Sequence, residues 1–232
     1  VLTEAGRIAL DHADRIFETG DELLATLQQN STRQPPLRIG ALSTLSRNFQ
    51  LQFLRPLLTS GATTFWLKSG NITMLLDDLE SLALDVVLTT QVPDNGSATV
   101  FAAQRISEQP VGIHGRPQQL GHASLRGLLE SEPLILPTES VIRRGFENLV
   151  ANLGIQPRVV ANVDDMAMVR LLAREGVGLA IAPTVVVADE IASGLLATAS
   201  FDLGISEPFF AVTLPRKFPH PALGGLLQGQ SG

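Results

Sequence analysis

The chain has 232 residues, 44% hydrophobic and 17% charged, with no cysteine and a formal net charge of −6. That length buries a sizeable core in one domain or two small ones, and the composition is that of a folded protein, not a disordered tail. Disulfides and thiolate metal sites are excluded, and the acidic balance excludes a free-standing nucleic-acid binder. In chain order, residues 1–28 read as an amphipathic helix capped by Thr3, with Ala5, Ile8, Ala9, His12, Ala13, Ile16, Phe17, Leu24 and Leu27 on one stripe. "QQNSTRQPP" (28–36) is a linker that its prolines prevent from being helical. The missing initiator Met and the uncovered apolar stripe raise the expectation of a folded partner preceding Val1.

A regular alternation follows. Strands are predicted over 37–42, 63–68 and 84–89, with helices over 45–58 and 71–82 between them. The second half has strands over 110–114, 133–137, 157–163, 178–183 and 195–200, and helices over 140–154, 165–176 and 184–194. A last strand, 208–214, is expected to return to the first block, and 213–223 reads as an ordered surface loop holding Arg216, Lys217 and His220. Strands alternating with helices imply parallel sheets covered on both faces. The expected organisation is an α/β fold: helix 1–28, hinge 29–36, a first lobe of 37–105 plus 207–232, and a second lobe of 106–206.

The uncharged apolar run of 13 residues from Gly176 to Ala188 is too short to cross a bilayer, and no export signal opens the chain. A cytoplasmic location without a membrane partner is the expectation. The three sequons at Asn30, Asn71 and Asn95 are then chance. Catalysis finds no support: the four histidines are scattered, and "GVGLAI" (176–181) lacks the third glycine of a dinucleotide fingerprint. No cofactor is expected.

The carboxyl ends of parallel strands, where helix N-termini point, are where ligands bind in such sheets. Small polar groups collect there: Ser43 and Thr44, Ser69 and Asn71, Thr89 and Thr90, Thr138, and Asp164 and Asp165. The same residue types are also ordinary helix caps, so each position is open to either role. Asp164-Asp165 reads as a cap with a dipole-complementing acid, or as a pair of hard oxygen ligands for a small cation such as Na⁺. Arg143-Arg144, at a helix start where the dipole disfavours cations, reads as a solvated face, or else as a contact for an anion or a partner surface.

"LTEAG" with its following helix resembles the junction in LysR-type transcriptional regulators where the winged helix-turn-helix ends and the linker helix begins. "PLRIGAL", "LLDDLESLALDVVLTT", "LRGLLESEPLILP", "LLAREGVGLAIAP" and "ADEIASGLL" resemble their effector-binding module, over the whole chain. "LILP", "VDDMAM" and "APTVVVADE" resemble the sodium-responsive branch of that family, which activates sodium/proton antiporter genes. The resemblance implies two Rossmann-like lobes of the periplasmic-binding-protein type II kind with the effector between them. It implies a linker helix that pairs with its twin in a homodimer or homotetramer through Ile8, His12, Ile16, Leu24 and Leu27. Ser43, Thr44, Ser69, Thr89, Thr138 and Asp164 match the family's effector contacts; Asn71, Thr90 and Asp165 come from the strand-end argument alone. The effector is expected to be Na⁺ or Li⁺, or else a small organic anion. Promoter DNA would be bound by the domain absent from this chain, with RNA polymerase as a further partner. A periplasmic-type solute-binding protein is the alternative from another class.

Overall fold

The computed structural model describes residues 3–27, 35–61, 63–93, 100–138 and 140–228; the side chains of Ala5, Glu22 and residues 24–27 are outside it. In order, the first elements are α1 (Glu4–Leu27), β1 (Leu37–Leu42), α2 (Arg47–Ser60), β2 (Phe65–Gly70), α3 (Ile72–Glu80), β3 (Val86–Thr89) and β4 (Ala102–Gly115). Then come α4 (Leu125–Ser131), β5 (Leu134–Leu136), α5 (Val141–Leu153), β6 (Val159–Asn162), α6 (Met166–Arg174) and β7 (Leu179–Pro183). The last are α7 (Ala188–Ala192), β8 (Ala197–Thr198), β9 (Ser206–Thr213) and α8 (Pro221–Gln228).

The chain forms two compact units, one of Val1–Leu42, Leu54–Gln104 and Phe210–Gly232, the other of Ser43–Phe53 and Arg105–Phe209. In the first, β1 lies between β2 and β3, parallel to both, and β9 joins β3 antiparallel. β1 reads "LRIGAL" and is almost continuously buried, as expected of a parallel strand covered on both faces. Leu75 and Leu79 of α3 pack on Leu84, Val87 and Val212. Gly40 permits that approach, because a Cβ there would stand 2.7 Å from Leu84 Cδ1.

In the second unit β5 lies parallel between β6 and β7, and β4 pairs antiparallel with β7 and β8. Its core joins Leu134, Ile135 and Leu136 of β5 with Phe146, Val169, Ile181 and Leu128. The glycine-rich stretch before β7 has a packing reason. Gly176 takes φ +77°, and a Cβ on Gly178 would meet the Pro133 carbonyl oxygen at 2.7 Å.

Several sequence expectations are corrected. The sheets are mixed, because β4, β8 and β9 pair antiparallel. β4 starts at Ala102, not residue 110; its first half, "AAQRISEQ", is largely exposed and carries no apolar run. The helix expected over 184–194 is a 3₁₀ turn, Thr184–Val187, followed by the five-residue α7, since consecutive β-branched residues disfavour an α-helical start. The strand expected over 195–200 shrinks to Ala197–Thr198, and β2 begins two residues later than expected. α4 and α8 were not anticipated; two glycines weaken "PALGGLLQ", which folds by burying Leu223 and Leu226. Nor is 213–223 simply surface loop: Arg216, 9% exposed, binds Asp85. Thr3 caps α1 as expected, its Oγ1 accepting from Gly6 N at 3.2 Å, and Gly154 ends α5 in the left-handed conformation. Most of the linker, the side chains of Leu24 and Leu27, and the sequons at Asn30 and Asn95 lie outside the described residues.

Candidate functional site

In the first unit the parallel strands bring four of the expected residues to one edge. Ala41 is level with Ser69 and Leu88, so Ser69, Asn71, Thr89 and Thr90 all sit at the carboxyl ends of β2 and β3. Two of them already have local work. Asn71 Oδ1 accepts from Met74 N at 2.9 Å and caps α3; Thr89, 1% exposed, accepts from Gln91 N at 3.2 Å through Oγ1. Ser69 is exposed and Thr90 half-buried. Capping and ligand contact were alternatives for Asn71, and the cap is made.

The second unit has the richer edge. Leu136 pairs with Asn162, and β7 runs parallel to β5, so Thr138, Asp164 and Thr184 leave the same side of the sheet. Thr138 and Asp164 are exposed, and Asp164 makes no hydrogen bond or ion pair among the described residues. Asp165 caps α6, its Oδ1 accepting from Ala167 N at 2.9 Å. Ser43 and Thr44 belong to this unit too, exposed and half-buried respectively. Their segment is tied to the same edge by Asn48, whose Nδ2 donates to the Val186 carbonyl at 3.4 Å, just after β7.

Two features at this edge were only partly legible in the sequence. Arg143, in the first turn of α5, donates through Nη1 to Asn162 Oδ1 at 2.6 Å and through Nε to Glu147 Oε1 at 2.5 Å. The guanidinium is thereby fixed beside the end of β6, with N–H groups still unengaged among the described residues. The i,i+4 spacing to Glu147 is visible in sequence; the contact with Asn162 exists only because β5 and β6 are neighbours. Second, Ser140 Oγ accepts from Arg143 N at 3.1 Å, so the α5 N-terminus is capped beside Thr138. Arg170, the next cation along the chain after Asp164-Asp165, faces Asp189 and Glu190 at 3.7 and 3.5 Å.

His114 is fully buried, and burial pushes its pKa below the usual histidine range, partly offset by the backbone hydrogen bond. Its Nε2–H donates to the Ala182 carbonyl and its Nδ1 accepts from Thr198, both at 2.9 Å, the assignment that a carbonyl and a hydroxyl partner require of a neutral ring. It fastens β4 to β7 and β8. No group of three or more His, Cys, Asp or Glu able to hold a metal occurs among the described residues, and no described helix is long and apolar enough to cross a membrane.

Residues 30–228 match the LysR substrate binding domain. The chain belongs to that family. It is the effector-binding domain of a LysR-family transcriptional regulator, with the periplasmic-binding-protein-like α/β fold. The LysR domain is similar in fold to CbnR, a LysR family regulator, at 19% identity and TM-score 0.68, over 100% of this chain and 82% of that one. It is also similar to the regulatory domain of HypT from Salmonella typhimurium, bromide-bound, at 16% identity and TM-score 0.65, over 86% and 95% of the two chains. The Synechocystis CcmR regulatory domain in complex with 2-PG matches at 16% identity and TM-score 0.63, over 85% and 98%. No curated protein matches. CbnR is a transcriptional regulator, and the HypT and CcmR matches are regulatory domains.

Proposed function

We propose that this LysR domain senses a small anion at strand-end hydroxyls and amides. The carrying observation is the edge of the second unit. There Thr138, the capped start of α5 and the fixed Arg143 guanidinium stand together, while Asp165 is engaged in capping α6. Helix starts and guanidinium groups favour anions. The anions named with the HypT and CcmR regulatory domains, bromide and 2-PG, support the same class. Ser43, Thr44, Ser69, Thr89 and Thr90 are the further contacts proposed on their respective units.

A sodium or lithium sensor of the NhaR kind is the second reading, favoured by one observation: Asp164 is exposed and without a protein partner among the described residues. The domain has no catalytic role in either reading. Effector binding acts by differential affinity for two states; a hundredfold bias needs about 2.7 kcal/mol. The bias passes to promoter DNA through a winged helix-turn-helix outside this chain, in a cytoplasmic regulator that activates transcription and contacts RNA polymerase. α1 supports assembly as a homodimer or homotetramer: Ile8, Ile16 and Phe17 are 54%, 71% and 73% exposed on a 24-residue helix, and His12 is exposed beside them.

Thermal melting in matched salts separates the readings. Sodium bromide, phosphate and 2-phosphoglycolate against sodium gluconate test the anion; sodium and lithium chloride against choline chloride test the cation. A rise specific to one anion and lost on Thr138→Ala supports the first reading. A rise specific to Na⁺ or Li⁺ and lost on Asp164→Asn supports the second and refutes the first.

A further inference from the structure

The first unit carries a cleft of about 400 Å³ whose lining includes Arg38, Trp66, Leu67, Lys68, Asp78 and Leu84. All six belong to that unit. The cleft exists because α3 covers only part of the sheet. In the parallel register Arg38 lies beside Trp66 and Gly40 beside Lys68, so these four positions share one face. α3 packs on that face over Gly40, where a Cβ would meet Leu75 Cδ2 at 3.0 Å. β2, the end strand of the sheet, stays exposed along most of its length. Trp66 is accordingly 68% exposed, with Lys68 exposed on the same face. Arg38 is the second residue of β1 and Leu84 precedes β3, so the cleft lies towards the amino-terminal ends of these strands. Ser69 and Thr89 stand at the opposite, carboxyl ends.

The polar groups of the cleft suit a single negative charge. Arg38 donates to Asp85 through Nε and Nη2, and its Nη1 has no hydrogen-bond partner among the described residues. Lys68 Nζ donates to Asp78 Oδ2 at 2.6 Å, with its other N–H groups open among the described residues. Arg216 Nη1 also reaches Asp85, at 2.9 Å. Three cations thus stand against two carboxylates, a local positive excess in a chain of net charge −6. We propose that this cleft binds a small aromatic monocarboxylate, its ring on the Trp66 indole and against Leu84, its carboxylate on Arg38 Nη1 and Lys68 Nζ. Planar rings stack on indole, and guanidinium and ammonium groups take carboxylates. The volume falls in the range of roughly 300–1,000 Å³ typical of small-ligand sites. Asp78 opposes a second negative charge, which selects against polyanions. The cleft shares no residue with the anion edge of the second unit and does not rest on that reading.

The chain has one tryptophan, Trp66, and no tyrosine, so its indole emission reports on this cleft alone. Titration with sodium benzoate at constant ionic strength should give a saturable change in that emission. Acetate, the charge without the ring, and benzyl alcohol, the ring without the charge, should each bind at least about tenfold more weakly. Lys68→Gln keeps the indole and removes one cation; benzoate affinity should fall about fivefold, and Lys68→Arg should restore it. Thr138→Ala, in the second unit, should leave the titration unchanged. No saturable response to benzoate overturns the proposal, as does equal binding of acetate or benzyl alcohol, or an unaltered affinity in Lys68→Gln. A response lost in Thr138→Ala also overturns it, by assigning the benzoate to the edge of the second unit. So does an emission that follows protein concentration rather than benzoate, which would put a second copy of the chain on the cleft.

Discussion

Removing the charge of Asp85 tests how the first unit holds its C-terminal return. Asp85 is 5% exposed and lies between two arginines. Its Oδ2 accepts from the Arg38 backbone N–H at 2.8 Å and from Arg38 Nε at 3.2 Å; its Oδ1 accepts from Arg38 Nη2 and Arg216 Nη1, each at 2.9 Å. Burial pushes the carboxyl pKa up, but the Arg38 hydrogen bonds and the charges of Arg38 and Arg216 outweigh it and hold it below the usual 3.8. Asp85→Asn leaves Arg216, 9% exposed, against a neutral amide. Breaking a buried pair in this way costs about 3–5 kcal/mol, and the low end applies because Arg38 remains 33% exposed. For a domain of this size about 3 kcal/mol lowers Tm by roughly 6–12 °C. Because the folded pKa is depressed, the contribution is complete above the unfolded value and is lost as pH falls through the folded one. Urea unfolding of both proteins should therefore show a constant gap from about pH 7 to pH 5 that narrows below about 3.8. Equal midpoints at neutral pH, or a gap that widens in acid, would refute the reasoning.

Two further outcomes follow from the packing. Gly178→Ala places a methyl 2.7 Å from the Pro133 carbonyl oxygen. The strand pair must shift, at about 1–3 kcal/mol, read by the denaturation midpoint; a neutral substitution would show that β5 and β7 are not packed so tightly. Ile16→Asp combined with Phe17→Asp puts charges on the exposed stripe of α1. Sedimentation should then show a smaller assembly with an unchanged fold, and an unchanged assembly would remove α1 from the interface.

The alternation of strands and helices was legible where a buried strand is a compact apolar run and a cap announces the helix. Ser140, Asp165 and Asn71 all cap where sequence placed helix starts. What failed has physical causes. The first half of β4 is stabilised by pairing rather than by burial, so it has no hydrophobic signature. α8 depends on tertiary contacts of Leu223 and Leu226 to overcome its glycines. Arg216 and Asp85 are 131 residues apart, and neither announces a partner, so the segment after β9 read as surface loop. The strand-end hydroxyls were identifiable because caps and ligand contacts draw on the same residue types. Arg143 was ambiguous until Asn162, 19 residues on, came beside it.

The central claim is an anion at the carboxyl edge of the second unit. A crystal of the domain grown in sodium bromide, with anomalous data collected at the bromine edge, addresses it most directly. The account predicts a bromide within hydrogen-bond reach of the Thr138 hydroxyl or the first turn of α5, displaced by added 2-phosphoglycolate or phosphate. An edge without bromide, with a sodium ion on Asp164 in its place, would contradict it.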